Sequence, residues 1–480
     1  MKKSAQKQTV WKRLSGYLKA YRLRLFLVLL FASASTVFTC LAPFVIGKVT
    51  TALFDSVRDG VFYWETVLWL LGALVCLYLI SQFFSFLQGF HMARITANVM
   101  GKLRSDIDNK MHRLKLNYYD THTHGDILSV ITNDVDTINN AVSQNLTSIV
   151  TQVITAAGIL LMMLFISPRL TLIPVIMVPL SLLSAAGVMK AGGRHYGRQQ
   201  ELLGQLNGYI EEMYNGQQVV QAFSYQEHAK SEFHALNQKL GRSSYKAETT
   251  TGAVSPITTL VNDMGYVICA AIGCLQAIAG GIAVGNVQAM LEYTRRFAEP
   301  FTSLAGMAGS FGAAKAAGDR IFTLLDAEEE LPDEENGIIP QDRSGSVTFK
   351  NVRFGYTPGH MLMKDVNLTV KPGQKVAIVG PTGAGKTTLV NLLMRFYETD
   401  GGSITVDGTD IRHMPRRELR DRFGMVLQDT WLFQGTIADN LGYAEEHMDQ
   451  NKIIASAKSA CAHDFIKTLP GGYEMVLTKG

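Results

Sequence analysis

Roughly the first two thirds of the chain alternate between long apolar stretches and polar, basic segments. Six stretches are each long enough to cross a hydrocarbon core of about 30 Å as a helix. They are Leu25–Ile46, Trp64–Phe90, Val142–Ile166, Leu170–Met189, Val254–Ala279 and Val284–Ala308. The first is too long for a cleaved signal peptide, and further spans follow it. Ahead of it, Val10, Trp11, Leu14 and Leu18 share one helical face while Lys12, Arg13 and Lys19 lie elsewhere. That spacing suits either a short helix lying in the membrane interface or a cytoplasmic extension of the first span. Later in the chain the period changes. Val376–Val379 is a short continuous apolar run, which predicts a buried parallel strand. After it, Leu389, Leu392, Leu393 and Phe396 recur at helical spacing.

Charge orients the spans. Lys2, Lys3, Lys7, Lys12, Arg13, Lys19, Arg22 and Arg24 precede the first, which predicts a cytoplasmic N-terminus. Gly47–Tyr63 is nearly neutral and faces out. His91–Ala141 carries Arg94, Lys102, Arg104, Lys110, Arg113 and Lys115 and faces in, as does the basic segment Lys190–Gly252. Gly280–Ala283 is a tight outer turn. This alternation predicts a multi-pass protein of the cytoplasmic membrane whose remaining chain emerges in the cytoplasm. The net charge of +4 over 480 residues is too small to argue for nucleic acid. The five cysteines lack metal-ligand spacing and read as small apolar packers. Asp326–Gln341, with Pro332, Pro340 and a cluster of acids, has too little apolar content to build a core. It divides the chain into a membrane domain (1–325), an acidic linker (326–342) and a nucleotide domain (343–480).

Chemistry concentrates just past the predicted strand. Gly380, Gly385, Lys386 and Thr387 match G-x-x-x-x-G-K-[ST] between strand and helix, the context that a phosphate-cradling loop requires. Gly383 and Gly385 allow close backbone approach, helix-start amides face the anionic oxygens, Lys386 reaches the β- and γ-phosphates, and Thr387 is placed to ligate Mg²⁺. The candidate ATP-binding loop is therefore Gly380, Pro381, Thr382, Gly383, Ala384, Gly385, Lys386, Thr387 and Thr388. A second candidate cluster lies in the sixth span, where Glu292 is spaced to meet Arg295 or Arg296, and Arg295 to meet Glu299. Charges at that depth usually face a cavity or a partner. These four residues either line a translocation pathway or neutralise one another to fix packing.

With spans, linker and loop in place, the chain resembles a half-transporter of the ATP-binding-cassette exporter family, most like a subunit of bacterial heterodimeric multidrug exporters. The resemblance runs over almost the whole sequence. VTFKNVRFGY (Val347–Tyr356) resembles the family's adenine-loop strand and implies that Tyr356 stacks on the base. GMVLQDTWLF (Gly424–Phe433) resembles its Q-loop, implying that Gln428 senses Mg²⁺ and the attacking water; QGTIADNL (Gln434–Leu441) resembles the segment that follows. Tyr118–Ile138 and Gly216–Ala229 resemble the two intracellular loops, which implies short helices that dock on nucleotide domains. The resemblance implies an α-helical membrane domain of six transmembrane helices (type I exporter) followed by an α/β P-loop domain. It also implies ATP and Mg²⁺ as cofactors, a second half-transporter as heterodimer partner, the lipid bilayer as surroundings, and amphipathic drugs or lipids as substrates.

The sequence given ends at Gly480, before the family's LSGGQ-like signature, the acidic strand bearing the catalytic glutamate, and the switch histidine. The nucleotide domain is therefore expected to be incomplete, to bind ATP without hydrolysing it alone, and to leave Val376–Val379 without a paired neighbour. Two functions stand: an ATP-driven export subunit working by alternating access, and a truncated or regulatory ATP-binding membrane subunit without hydrolysis. A free-standing GTPase or kinase would leave six spans unexplained.

Overall fold

The computed structural model describes residues 9–334, 337–357, 359–381, 383–428, 431–444 and 449–477. The chain forms two compact units, Met1–Leu114 with Tyr118–Glu329 and Lys115–Asn117 with Glu330–Gly480.

The first unit is helical. Its elements are α1 (Val10–Lys19), α2 (Arg22–Asp59), α3 (Trp64–Met111), α4 (Leu116–Thr121), α5 (His124–Ser129), α6 (Val135–Asn140), α7 (Leu146–Ile166), α8 (Pro168–Asn215), α9 (Gln217–Ala222), α10 (Gln226–Gly252), α11 (Val254–Ile278), α12 (Val284–Phe297) and α13 (Glu299–Asp326). Among the described residues, five helical stretches are long and apolar enough to cross a membrane: Arg22–Asp59, Trp64–Met111, His124–Ile166, Pro168–Asn215 and Gln226–Ile278. The sixth expected span is not one of them. It falls on α12 and α13, which are separated at Ala298, and Glu292, Arg295, Arg296 and Glu299 lower its apolarity. Pro300, which has no N–H to donate, sits in the first turn of α13, where none is needed.

Burial explains the helix contacts. α1 is a helix of its own, not an extension of α2. Its Val10 and Leu14 join Leu103, Ile107, Ile138 and Ile321 in one core, and Trp11 meets Phe311 edge-on. A second core gathers Ile159, Met163, Leu170, Met290 and Tyr293. Tyr293 is fully buried and satisfies its hydroxyl by donating to the Cys40 carbonyl at 2.6 Å. Between α2 and α3, Ser81 bonds Ser35 and Thr39, joining two helices where water offers no alternative partner. α2 and α12 cross at Gly47 and Gly285; a methyl on Gly285 would overlap the Gly47 carbonyl oxygen, and the Gly285 amide donates to Thr51 Oγ1 at 3.2 Å. Cys40 and Cys269 are buried in the second core as small apolar packers, whereas Cys76, Cys274 and Cys461 are exposed. The two loop segments carry short helices, α4 and α5 in one and α9 in the other.

The second unit holds β1 (Val347–Phe354), β2 (Met363–Val370), α14 (Lys386–Leu393), β3 (Gly401–Val406), β4 (Thr409–Asp410), α15 (Arg416–Arg420), β5 (Gly435–Thr436), α16 (Ile437–Leu441), α17 (Gln450–Ser459), α18 (His463–Thr468) and β6 (Val476–Leu477). Its main sheet is antiparallel with order β2-β1-β3-β4. Val347, Phe349, Val352 and Phe354 of β1 are buried; the register shift near Asn351, whose φ is +51°, moves the inward side from odd to even positions. Asp407 (φ +47°) and Gly408 (φ +79°) supply the two left-handed residues that a tight β3–β4 turn requires.

The run Val376–Val379 corrects the sequence reading. It forms no strand, and Val376, Ile378 and Val379 are 43%, 43% and 88% exposed. A parallel strand exists only through its neighbours, and among the described residues none pairs with this run. The acidic segment also differs from a bare linker, because Asp326, Glu329, Glu330, Asp333 and Glu334 are each paired. In the first unit, Asp326 meets Arg13 at 2.6 Å and Glu329 meets the buried Lys110 at 2.8 Å. In the second, Asp333 meets Arg416 at 2.6 Å, Glu330 lies 3.6 Å from the same guanidinium, and Glu334 meets His413.

Candidate functional site

The phosphate loop ends in two residues that only glycine holds without strain: Gly383 and Gly385 have φ of +86° and +87°. Gly385 is the residue immediately before α14, so the backbone turns directly into the helix start. Lys386 folds back over the loop, and its Nζ donates to the carbonyls of Gly380 and Pro381, each at 2.8 Å. Ala384 closes the turn by donating its amide to Pro381. Thr387 is exposed in the first turn, whereas Thr388 is buried. Thr382 lies outside the described residues. A lysine, unpaired helix-start amides and the positive end of the helix dipole converge here, and together they attract a multiply charged anion.

Tyr356 follows β1 and is 43% exposed. Its ring stands edge-on to Phe354 (4.9 Å, 82°) and to Tyr397 (5.1 Å, 88°). Its hydroxyl lies 3.1 Å from Thr388 Oγ1, so the aromatic and the loop-bearing helix are directly joined. The ring borders a cleft of about 730 Å³ whose wall includes Phe354, Tyr397, Glu398 and Asp400 but not the phosphate loop. Gln428 stands apart. It is exposed, lies outside regular structure, and makes no hydrogen bond to the loop among the described residues.

The donor set suits a triphosphate: one lysine, glycine backbone and helix amides. For Mg²⁺ the protein offers the exposed Thr387 hydroxyl, and no group of three His, Cys, Asp or Glu side chains that could hold a metal is found among the described residues. Such a site suits an ion that takes most of its ligands from phosphate and water. At the far end of α14, Arg395 (φ +52°) is buried and donates to the carbonyls of Ile411 and Met414 and to Glu398, a cation placed at the negative end of the helix.

In the membrane unit, Glu292 and Arg296 form the expected pair at 2.7 Å. Arg295 does not pair with Glu299 among the described residues; its guanidinium lies 5.7 Å from the Tyr266 ring centre. Sequence reasoning missed Phe354, Tyr397 and Arg395, which hold the site from behind. Phe354 shared a quoted motif with Tyr356, but the other two follow the helix with no motif of their own.

A family model described as the ABC transporter transmembrane region matches residues 25–301, and one described as ABC transporter matches residues 363–477. The ABC transporter ATP-binding protein YfiC of Bacillus subtilis is 37% identical over 471 residues, which is 98% of this chain and 77% of that protein. A fatty acid ABC transporter ATP-binding/permease protein of Mycobacterium bovis is 40% identical over 84% of this chain and 64% of its own length. A putative multidrug export ATP-binding/permease protein of Bacillus subtilis, YgaD, is 31% identical over 80% of this chain and 67% of its own length.

Proposed function

Because the chain belongs to the ABC transporter family, with the membrane region and the nucleotide-binding domain on one polypeptide, we propose that it is one subunit of a dimeric exporter that uses ATP to move amphipathic molecules, drugs or lipids, out across the cytoplasmic membrane. The carrying observation is Lys386 folded over a loop of left-handed glycines at the start of α14, on a chain whose other unit offers helices of membrane-spanning length. In this reading Lys386 and the α14 amides grip the β- and γ-phosphates, Tyr356 forms the wall for the base, and Thr387 holds Mg²⁺, which supplies charge neutralisation between phosphate oxygens. Gln428, on its exposed segment, senses the bound nucleotide. The short helices α4, α5 and α9 dock on nucleotide domains and carry their closure to the spans. The names of the mycobacterial and bacillar relatives support fatty acids and drugs as the kind of cargo. Basic segments confined to one side of the alternating spans support a cytoplasmic nucleotide domain.

The test is reconstitution with the partner half-transporter in liposomes, with ATP and a fluorescent amphiphile. ATP-dependent transport that disappears in Lys386→Ala is the expected result. Transport that persists in Lys386→Ala, or a wild-type chain that does not bind ATP, would refute the proposal.

A further inference from the structure

We infer that the outer face of α1 binds the headgroups of anionic phospholipids, with Lys12 and Lys19 as the contacting cations. α1 has two unlike sides. Its inner side is used up within the protein. Val10 and Leu14 are buried in the first core, Arg13 pairs with Asp326 at 2.6 Å and lies 4.2 Å from the Phe322 ring centre, and the Tyr17 hydroxyl donates to Asp106 at 2.8 Å. At about 100° per residue, the opposite side consists of Lys12, Ser15, Gly16 and Lys19, and all four are exposed. Lys12 and Lys19, seven residues apart, point almost the same way and stand about 10 Å apart along the axis. Between them Gly16 has no side chain, and the Ser15 hydroxyl turns back to donate to the Lys12 carbonyl at 2.8 Å. The face is thus a shallow saddle with a flexible cation at each end, able to close on a phosphate resting between them.

No described residue neutralises this charge. Lys12, Lys19, Arg22 and Arg24 form no ion pair among the described residues, and no Asp or Glu lies between Thr9 and Phe54 in the sequence. Two residues after α1 the chain enters α2, a helix of membrane-spanning length, in which Leu23 and Phe26 are 72% and 61% exposed. Unpaired cations beside exposed apolar side chains at the start of a span match a ligand with an anionic head and an apolar tail. A zwitterionic headgroup carries no net charge and is not drawn to them in the same way.

The experiment is tryptophan quenching in nanodiscs. The full chain carries Trp64→Phe, Trp69→Phe and Trp431→Phe, so that Trp11, 40% exposed and next to Lys12, is the sole reporter. The discs hold phosphatidylcholine with a minority of phosphatidylglycerol, and bromine is placed on the acyl chains of one lipid or the other. Lipid for lipid, brominated phosphatidylglycerol is expected to quench Trp11 more strongly. Removing the charges with Lys12→Gln and Lys19→Gln should reduce this preference, by about fivefold for each lysine lost at low ionic strength. Lys12→Arg with Lys19→Arg should retain it, and so should Lys230→Gln with Lys239→Gln, an equal loss of charge on α10. The inference is overturned if both lipids quench the tryptophan reporter equally, if the preference survives loss of Lys12 and Lys19, or if the α10 variant loses it as well. It is also overturned if neither lipid quenches Trp11, because protein and not lipid would then cover this face.

Discussion

Replacing Asp333 tests whether the acidic segment is part of the second unit's architecture. Asp333 accepts hydrogen bonds from the Arg416 backbone amide at 2.8 Å and from Arg416 Nη1 at 2.6 Å, and it lies 3.6 Å from Arg395 Nη1. The arginine side chains are 10% and 5% exposed, and Asp333 itself is 33% exposed. Breaking a buried ion pair costs about 3–5 kcal/mol when the surviving charge is left alone. Here water reaches the carboxylate, and Arg416 keeps Glu398 at 3.2 Å and the Leu331 carbonyl at 2.6 Å. The expected cost of Asp333→Ala is therefore lower, about 2 kcal/mol. That corresponds to about 30-fold faster amide hydrogen exchange in α15, if the helix exchanges by local opening. The two Arg416 donors bond different carboxylate oxygens, so Asp333→Asn keeps an oxygen for only one of them and also loses the charge, and it should give more than half of the free-energy loss. In the double variant with Arg416→Leu, the two losses should fall well short of adding, because each single change removes the same contact. Exchange mass spectrometry on the full chain reads the 416–420 peptide directly. If Asp333→Ala leaves exchange there within about twofold of the wild type, the segment is a bare linker and the structural argument is wrong.

The crossing of α2 and α12 should be similarly intolerant. Gly285→Ala pushes a methyl into the Gly47 carbonyl and the Thr51 hydroxyl, and is expected to cost about 2–3 kcal/mol, seen as a lower thermal midpoint in detergent; an unchanged midpoint would contradict the close approach. Arg296→Ala leaves Glu292 uncompensated within the membrane and should cost about 2 kcal/mol, whereas Arg295→Ala removes only a cation near the Tyr266 ring and should cost under about 1 kcal/mol; equal thermal midpoints would remove the distinction. Burial works against the charge on Asp407, but the Ser346 and Gly345 amides, the Ser344 hydroxyl and Arg422 outweigh it and hold the carboxyl below its usual pKa. A depressed folded-state pKa stabilises above the unfolded value, and this stabilisation is lost as pH falls through the folded one. The difference in midpoint between wild type and Asp407→Asn should therefore be constant above about pH 4 and shrink below it; a difference independent of pH down to 2 would rule this out.

What was legible in the sequence was what depends on near neighbours or on solvent. Spans such as Trp64–Phe90 announce themselves because a helix in lipid satisfies its own backbone, so length and apolarity along the chain are sufficient. Gly383, Gly385 and Lys386 were legible for a related reason: the whole cradle is made within a few residues. The failures have the opposite character. Val376–Val379 has a strand's composition and was expected to lack a paired neighbour, but a strand is a relation between segments, so without that neighbour neither the strand nor its burial follows from composition. The α12–α13 division was half visible, since Pro300 and four charges stood in the sixth span, but the position of the break at Ala298 was not. The pairing of Asp333 with Arg416 spans 83 residues, and local charge density alone suggested a solvated linker. Thr388 adds a contact that no motif announces: its hydroxyl lies 3.1 Å from that of Tyr356, 32 residues earlier on another element. A pattern along the chain specifies which way the backbone turns; which hydroxyl a buried side chain meets depends on how separate elements pack.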